Sequence, residues 1–193
     1  MLSYNESLKI LKETKALLEG HFILSSGLHS ARYIQCAQLL SKPEKASLIC
    51  RSLAEKIKTS FKEFNLILSP AVGGIIIGYE IGRLLKKETI FSERVDGSLI
   101  LKRNFKIKKD DKVVIVEDVI TTGKSSLECS QLISAVGAKI VGYACIIDRS
   151  MGKSVLGKNI VSQVEIDIPT YKKENLPREL SLIEAVKPGS RNI

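Results

Sequence analysis

The sequence contains no tryptophan, only two histidines and four cysteines, which are too few and too scattered to suggest a zinc site. Cys36, Cys50, Cys129 and Cys145 include no Cys-x-x-Cys pair and do not indicate a disulfide framework. No apolar run approaches the roughly 20 residues of a membrane-spanning helix. The first residues also lack the basic-then-apolar pattern of a secretory signal. We therefore expect a cytoplasmic protein with reduced cysteines, no protein-held metal ion and no membrane partner.

Acidic residues are the minority among the charged ones, since 21 Asp and Glu stand against 30 Lys and Arg, for a formal net charge of +9. Such a charge can serve a nucleic acid, a polyanionic small substrate, or only the solvation of the surface. The lysines are scattered, and the few aromatic residues are not interleaved with them. A solvated surface and a phosphate-rich substrate both remain open, and we expect no nucleic-acid partner. The 193 residues fit one domain.

The first third of the chain predicts two helices around a short hairpin. Ser3 and Glu6 have capping-box spacing before an apolar-periodic run that extends to about Gly20. Residues 20–35 show period-2 stretches broken by Ser-Ser-Gly, typical of a hairpin-like segment outside the main core. Ser41 and Glu44 predict a second capping box. The helix that follows has one apolar face: Ala46, Ile49, Cys50, Leu53 and Ile57.

From residue 66 onward, short apolar strands alternate with helices. The predicted strands are Leu66–Leu68, Thr89–Phe91, Val113–Val116, Ile140–Ile147 and Val164–Ile168. The predicted helices are Gly74–Lys86 and Lys124–Val136, the second with Cys129, Leu132, Ile133 and Val136 on one face. This alternation is typical of an α/β fold whose mostly parallel sheet is flanked by helices. Because such sheets bind ligands beyond the carboxyl ends of their strands, we expect a site in the loops there.

The segment after the strand Val113–Val116 combines two carboxylates with a phosphate-binding turn. Glu117 and Asp118 come first, followed by Val119, Ile120, Thr121, Thr122, Gly123, Lys124 and Ser125, where a helix begins. Unpaired N–H groups and hydroxyls at a helix N-terminus suit a phosphate monoester, and Gly123 lets the backbone approach closely. The acids would repel that phosphate unless they face sugar hydroxyls or a magnesium ion. The segment therefore predicts a site for a ribose 5-phosphate.

Two other interpretations of this segment exist. It could be no more than a helix N-cap that follows an acidic turn. The end of the segment also looks like the end of a P-loop, which requires a glycine five residues before Gly123. Asp118 stands at that position, so the P-loop interpretation is excluded.

The order of hydrophobic strand, two acids, two further residues and Thr-Thr-Gly resembles the phosphoribosyl-pyrophosphate motif of the type I phosphoribosyltransferases. Within that family the chain is most similar to the members that act on orotate. The supporting stretches are residues 20–22, 25–27, 30, 70–74, 148–149 and 187–191. The resemblance implies one phosphoribosyltransferase domain over residues 1–193, in which residues 1–40 form a helix and a small hood on the core. It also implies a flexible β-hairpin loop.

The resemblance also assigns roles to particular residues. Glu117 and Asp118 would hold the ribose hydroxyls, with Asp118 catalytic, and residues 119–125 would complete the phosphoribosyl-pyrophosphate site. The backbone of Ala71, Val72, Gly73 and Gly74 would take the pyrophosphate, although the two glycines could also mark only a tight strand-to-helix turn. Thr121, Ser26 and Arg149 would bind orotate, whose carboxylate suits a guanidinium group. Without the resemblance, Arg149 could be an ordinary surface arginine.

The chain departs from the family pattern at three places. Many members carry lysines that bind phosphoribosyl pyrophosphate where Ser25 and Gly73 stand here. Residues 92–105 resemble the family's mobile catalytic loop, which closes over the neighbouring subunit's site, but they lack its histidine and its Arg-Lys pair. Arg94 is the cation that we expect to act there. The same residues also fit a β-hairpin that turns at Asp96-Gly97.

The activity implied by the resemblance is transfer of ribose 5-phosphate from phosphoribosyl pyrophosphate to orotate, giving orotidine 5'-monophosphate and pyrophosphate on the route to UMP. Magnesium would be carried mainly by the pyrophosphate, and the enzyme would be a homodimer. One alternative is a purine or uracil phosphoribosyltransferase, which Arg149 and the Ser-Ser-Gly segment disfavour. Another is a regulator that senses phosphoribosyl pyrophosphate and binds nucleic acid, which the lack of a basic arm before the sheet disfavours.

Overall fold

A six-stranded sheet organises the protein, and the computed structural model describes residues 1–24, 26–157 and 159–188. Its strands are β3 (Leu66–Pro70), β4 (Glu88–Val95), β5 (Ser98–Leu101), β6 (Lys112–Ile120), β7 (Lys139–Asp148) and β8 (Ile160–Glu165). Their spatial order is β5-β4-β3-β6-β7-β8. Every neighbouring pair is parallel except β4 with β5, which form an antiparallel hairpin around Asp96 and Gly97. The mostly parallel α/β fold predicted from the sequence is confirmed.

Helices cover both faces of this sheet because its central strands are apolar on both sides. The helices are α1 (Tyr4–Glu13), α2 (Ala37–Leu40), α3 (Pro43–Ser60), α4 (Gly73–Leu85), α5 (Lys124–Ala135) and α6 (Arg178–Ser181). Alternate strand residues belong to two buried clusters: Val114 and Val116 pack with α1, α3 and α4, whereas Val113 and Ile115 pack with α5. The five residues predicted on the apolar face of α3 are all buried.

A smaller sheet lies beside the large one. It contains β1 (Leu17–Ile23), β2 (His29–Ile34), β9 (Thr170–Tyr171) and β10 (Ala185–Val186), in the order β10-β1-β2-β9. Two buried histidines join it to the C-terminal segment, because the ring nitrogens of His21 and His29 are 2.6 Å apart and His21 Nδ1 donates to Ile183 O at 2.8 Å. Because β1 and β2 pair as antiparallel strands, the hairpin predicted for residues 20–35 is present. Its role as a hood stays a prediction.

Two of the predicted helix boundaries are wrong. The first helix ends at Glu13, because Lys15 adopts a left-handed conformation and the Ala16 N–H bonds back to Leu11 O at 2.9 Å. The second capping box does not form. Proline disfavours a helical conformation for the residue before it, so Lys42 becomes the N-cap of α3, while the Ser41 hydroxyl donates to Gln38 O at the end of α2.

Three further predictions need correction. Strand β6 runs past Val116 to Ile120, because β7 continues to pair with it. Strand β8 covers Ile160–Glu165 rather than Val164–Ile168, although the alternate burial of the predicted segment is real. Val136 is exposed, because α5 ends one residue before it and Gly137 turns the chain away.

We predict that Gly142→Ala destabilises the fold by about 1–3 kcal/mol, because the site is already fully packed. A Cβ atom on Gly142 in β7 would lie 2.3 Å from the Cζ atom of the buried Phe61 ring. Urea unfolding of four proteins measures the effect: wild type, Gly142→Ala, Phe61→Leu and the double variant. If Gly142→Ala costs as much in the Phe61→Leu background as in the wild type, this clash is not the cause.

Candidate active site

The strand order places the candidate site where a doubly wound sheet binds ligands. The chain leaves β3 towards β4 on one side, and β6 lies on the other side of β3. The loops after β3 and β6 therefore diverge to opposite faces of the sheet and open a crevice at the carboxyl edge. The segments predicted from the sequence, residues 71–74 and 117–125, both lie at this edge.

The two adjacent carboxylates project from opposite faces of β6. Successive side chains of a strand alternate between faces, so Glu117 follows Val113 and Ile115 towards α5, whereas Asp118 follows Val114 and Val116 towards α4. The contacts agree with this alternation, because Glu117 accepts a hydrogen bond from α5 and Asp118 lies against the first residue of α4. The pair thus straddles the end of the strand.

Glu117 is a half-buried carboxylate with a raised pKa. Burial, with a smaller contribution from the negative charge of Asp118, raises the pKa of Glu117 to about 7. Hydrogen bonds from Ser126 and Ser125 oppose this rise, and the Ser126 Oγ donates to Glu117 Oε2 at 2.6 Å. Ser126 was missed in the sequence, where it reads as an ordinary helical serine. Its position nine residues after an acid at a strand end was the available signal.

The Asp118 carboxylate lies between the backbone of its own strand and the first residue of α4. Burial raises its pKa, and backbone N–H groups of Val119 and of Asp118 itself oppose that rise. A Cβ atom on Gly73 would lie 2.7 Å from Asp118 Oδ1. With Asp118 in this position, the lysine that many family members carry at position 73 has no room. Ser25, the other position with a missing lysine, lies outside the described residues, as do residues 189–191.

The predicted phosphate loop is a left-handed turn into α5. Gly123 is the N-cap with φ 82°, and a Cβ atom there would lie 2.5 Å from Ser154 Oγ. Thr121 and Thr122 are exposed, and the first N–H groups of α5 have no intrahelical acceptor. Ile120 differs from its neighbours, since its side chain is buried in the core and its carbonyl accepts the Arg149 N–H at 2.8 Å. A contact of Ile120 with a ligand stays a prediction.

The loop after β3 offers fewer donors than we expected. The Ala71 N–H already donates to Ser92 O at 2.8 Å, which stabilises the start of the loop against β4. Val72, Gly73 and Gly74 precede or begin α4, where the first N–H groups have no intrahelical acceptor. Val72 has an exposed side chain and Gly73 is exposed. The backbone donors suited to a pyrophosphate are thus those of residues 72–74, without Ala71.

Arg149 directly follows β7 at the same edge and has an unsatisfied guanidinium group. The residue is half-buried, and its Nε atom is buried without a hydrogen-bond partner among the described residues. Burial lowers the pKa of Arg149. The hydroxyl of Ser150 beside it is also buried without a partner among those residues. An uncompensated guanidinium of this kind favours an anionic ligand.

Two predicted site residues are not brought to the crevice by any described contact. Ser26 is exposed in the turn between β1 and β2, where its Oγ accepts the Leu28 N–H at 3.4 Å. Arg94 in β4 pairs with Glu128 of α5 at 2.9 Å. Arg94 must release Glu128 before it can reach a ligand elsewhere. The roles of Ser26 and Arg94 stay predictions.

Within the described ranges, no group of three or more His, Cys, Asp or Glu side chains could hold a metal ion. The two acids of the predicted site, Glu117 and Asp118, could at most assist an ion that is held mainly by a ligand. In the same ranges, no helix is both long enough and apolar enough to cross a membrane.

Known proteins resemble this chain over almost its whole length. A family model described as phosphoribosyl transferase domain matches residues 36–176. An orotate phosphoribosyltransferase of Carboxydothermus hydrogenoformans is 46% identical over 95% of this chain and 96% of its own. One of Parvibaculum lavamentivorans is 48% identical over 96% of this chain and 97% of its own. The solved orotate phosphoribosyltransferase of Aeropyrum pernix is 25% identical, with a TM-score of 0.71 over 82% of this chain and 92% of that chain.

We predict that Glu117 makes the stability of the protein fall between about pH 4.5 and pH 7, its unfolded and folded pKa values. A carboxyl group whose pKa is raised by folding stabilises the fold when protonated, and this contribution is lost as the pH rises through the folded pKa. Glu117→Gln cannot ionise, so from pH 5 to pH 8 it should gain up to about 3 kcal/mol relative to the wild type. Urea unfolding at both pH values measures this. The exposed Glu44→Gln is the control, and an equal difference at both pH values would contradict the prediction.

The hydrogen bond from Ser126 gives a second test of the same group. Ser126→Ala removes a donor to the ionised carboxylate, so the loss of stability should extend to a higher pH than in the wild type. Ser130→Ala is the matched control, because Ser130 is also a buried serine of α5 but bonds to Tyr143 and Ser126 O instead. If the stability of both variants depended on pH in the same way, the Ser126 hydroxyl would have no specific effect on the pKa of Glu117, and the prediction would be wrong.

Proposed function

The chain belongs to the phosphoribosyl transferase family, and from this membership we propose that it transfers ribose 5-phosphate from phosphoribosyl pyrophosphate to orotate. The products are orotidine 5'-monophosphate and pyrophosphate, a step of pyrimidine biosynthesis towards UMP. The names of the two curated relatives favour this activity over a purine or uracil enzyme and over a nucleic-acid-binding regulator. The observation that carries the choice of orotate is the unpartnered, half-buried guanidinium of Arg149.

The phosphoribosyl group is proposed to lie along the end of β6. Its 5-phosphate binds at the N-terminus of α5, where the hydroxyls of Thr121 and Ser125 and the first N–H groups meet, and where the Thr122 hydroxyl accepts the Lys124 N–H at 3.3 Å and thereby shapes the turn. Glu117 and Asp118 accept hydrogen bonds from the vicinal ribose hydroxyls, one on each side of the strand end. A hydroxyl donor also favours the ionised form of Glu117, so ribose binding should lower its pKa from about 7.

The pyrophosphate is proposed to bind the start of α4, on the other side of the crevice. The N–H groups of Val72, Gly73 and Gly74 would donate to its oxygens, aided by the positive end of the helix dipole. The side-chain-free Gly73 lets the pyrophosphate lie close to the ribose-binding Asp118. Magnesium carried on the pyrophosphate would neutralise the charge of this leaving group.

The chemistry requires stabilisation of positive charge rather than a covalent nucleophile. As the bond between C1 of the ribose and the pyrophosphate breaks, positive charge develops on the sugar ring. The carboxylates of Glu117 and Asp118, held beside the ring in a partly buried crevice, stabilise that charge electrostatically. Arg149 fixes the orotate carboxylate, with Thr121 and Ser26 assisting, so that the ring nitrogen faces C1. Water is kept from C1 when the hairpin of β4 and β5 closes.

A homodimer is proposed because the hairpin is expected to act on a neighbouring subunit. An exposed apolar stripe supports this: Val72 is 83% exposed, Ile76 56% and Tyr79 66%, on successive turns at the start of α4. Exposed apolar side chains at helical spacing beside a substrate loop are suited to burial against a second copy of the chain. In that dimer Arg94 would leave Glu128 and approach the partner's pyrophosphate. A cytoplasmic location is proposed as well, and the free thiols of the four buried cysteines support it.

We predict that Arg149→Ala weakens orotate binding by roughly 30- to 150-fold, the value of a charge-assisted bidentate contact. Phosphoribosyl pyrophosphate binding should be nearly unchanged, because that ligand lies on β6, α4 and α5. Arg149→Lys should recover little, since an ammonium group lacks the planar fork. Separate titrations of the two ligands measure these effects. Turnover of orotate, uracil and hypoxanthine by the wild type tests the activity itself, and use of uracil as readily as orotate would overturn the substrate assignment.

We predict that subunits with different defects complement each other. Arg94→Ala and Asp118→Asn each inactivate the dimer, but a mixed dimer has one site in which both residues are intact. After random exchange of equal amounts, half of the dimers are mixed, so about a quarter of the wild-type activity should return. Sedimentation of each protein establishes its oligomeric state. A monomer, or a mixture that stays inactive although exchange is complete, would refute a hairpin shared between subunits.

A further inference from the structure

A cavity lies at the amino edge of the sheet, opposite to the candidate active site. Its volume is about 410 Å³, within the range of small-molecule sites. It is formed where α3 and α4 end, next to the residues that lead into β3 and β4. Its lining consists of Lys58, Phe61, Lys62, Phe64, Leu84, Leu85, Lys86 and Lys87. No carboxylate is among these residues.

The four lysines give the cavity an uncompensated positive charge. None of them takes part in an ion pair within the described part of the chain. Two neighbouring acids are engaged elsewhere, since Glu63 pairs with Lys112 and Glu55 with the N-terminal amine, whereas the exposed Glu88 beside Lys87 takes part in none of the ion pairs of the described residues. The ends of α3 and α4 each supply about half a negative charge. With Glu88 counted as well, about two positive charges are left to be balanced by a ligand or by solvent ions.

Apolar side chains form the floor beneath these lysines. Phe61 and Phe64 are buried, and Leu84 and Leu85 are half-buried. The Lys87 ammonium lies 5.2 Å from the centre of the Phe64 ring, which orients it at the cavity wall. Lys86 occupies the left-handed end of α4 with φ 55°, a position at which glycine is less costly. The chain therefore places a long cation there against its local backbone preference.

We propose that this cavity is a second ligand site that binds a nucleoside triphosphate. The triphosphate matches the unpaired lysines in charge, and the base matches the apolar floor, which an inorganic anion would leave uncovered. The volume accommodates both parts. The site differs in chemistry from the crevice at the opposite edge, where the carboxylates of Glu117 and Asp118 select sugar hydroxyls.

The test is calorimetric titration of the wild-type protein with ATP, in the presence of saturating phosphoribosyl pyrophosphate to occupy the other site. One equivalent of ATP should bind, at least roughly tenfold more tightly than inorganic tripolyphosphate if the apolar floor contributes. Lys62→Glu/Lys86→Glu should weaken ATP binding by roughly tenfold or more. Lys108→Glu/Lys109→Glu is the matched control, since it changes the net charge equally at two exposed lysines outside the cavity. It should leave ATP binding nearly unchanged.

Other outcomes overturn the proposal. If phosphoribosyl pyrophosphate abolishes ATP binding, the nucleotide was bound in the crevice. An equal loss in both double variants would mean that only the net charge matters, and tripolyphosphate binding as tightly as ATP would remove the base from the site. The neutral pair Lys62→Gln/Lys86→Gln repeats the test with a smaller change. All three double variants should keep wild-type turnover and circular dichroism, which shows that any loss concerns the cavity and not the fold.

Discussion

The two-residue repeat of strand β6 is the constraint on which the site depends. Because Glu117 and Asp118 are adjacent in a strand that keeps pairing with β7 to Ile120, their carboxylates must leave on opposite faces. One carboxylate therefore meets α5 and the other meets α4. Each helix presents a different group to its carboxylate. Helix α5 donates the Ser126 hydroxyl to Glu117. Helix α4 begins with Gly73, where a Cβ atom would collide with Asp118 in its present position. A one-residue shift of β6 would exchange both environments.

The protein groups that line the crevice are poorly balanced in electrostatic terms. Glu117 and Asp118 are half-buried neighbours, and burial more than the charge of Asp118 raises the pKa of Glu117 to about 7. On the next strand, the Arg149 guanidinium keeps a buried donor without a partner. Substrate groups of the proposed kind correct both defects, since ribose hydroxyls donate to the carboxylates and a carboxylate accepts from Arg149. Part of the binding free energy then comes from groups that the fold itself leaves unsatisfied.

Local sequence patterns predicted the fold well where the residues concerned could belong to only one helix or strand. The valines of β6 and the apolar face of α3 fall as predicted, because burial on both faces or on one helical face leaves a clear periodicity. The patterns failed where two elements compete for one residue. Ser41 could cap α3 but instead ends α2. The apolar run after Lys12 was assigned to one helix, but the left-handed Lys15 divides it between the end of α1 and the start of β1. Such choices depend on tertiary packing.

The site, like the fold, was predictable only where its residues are close in sequence. The motif of residues 117–125 predicted a phosphate site at this edge of the sheet, because its strand, acids and helix start are contiguous in sequence. Its relation to α4 was not predictable, since it depends on how closely that helix approaches the sheet. Glycines recur every four residues in α4, and a Cβ atom on Gly78 or Gly82 would lie about 2 Å from the Ser69 or Thr89 hydroxyl oxygen. This close approach brings Gly73 to Asp118, so the pyrophosphate end of the proposed site is set by the packing of a helix on the strands β3 and β4, away from the motif itself.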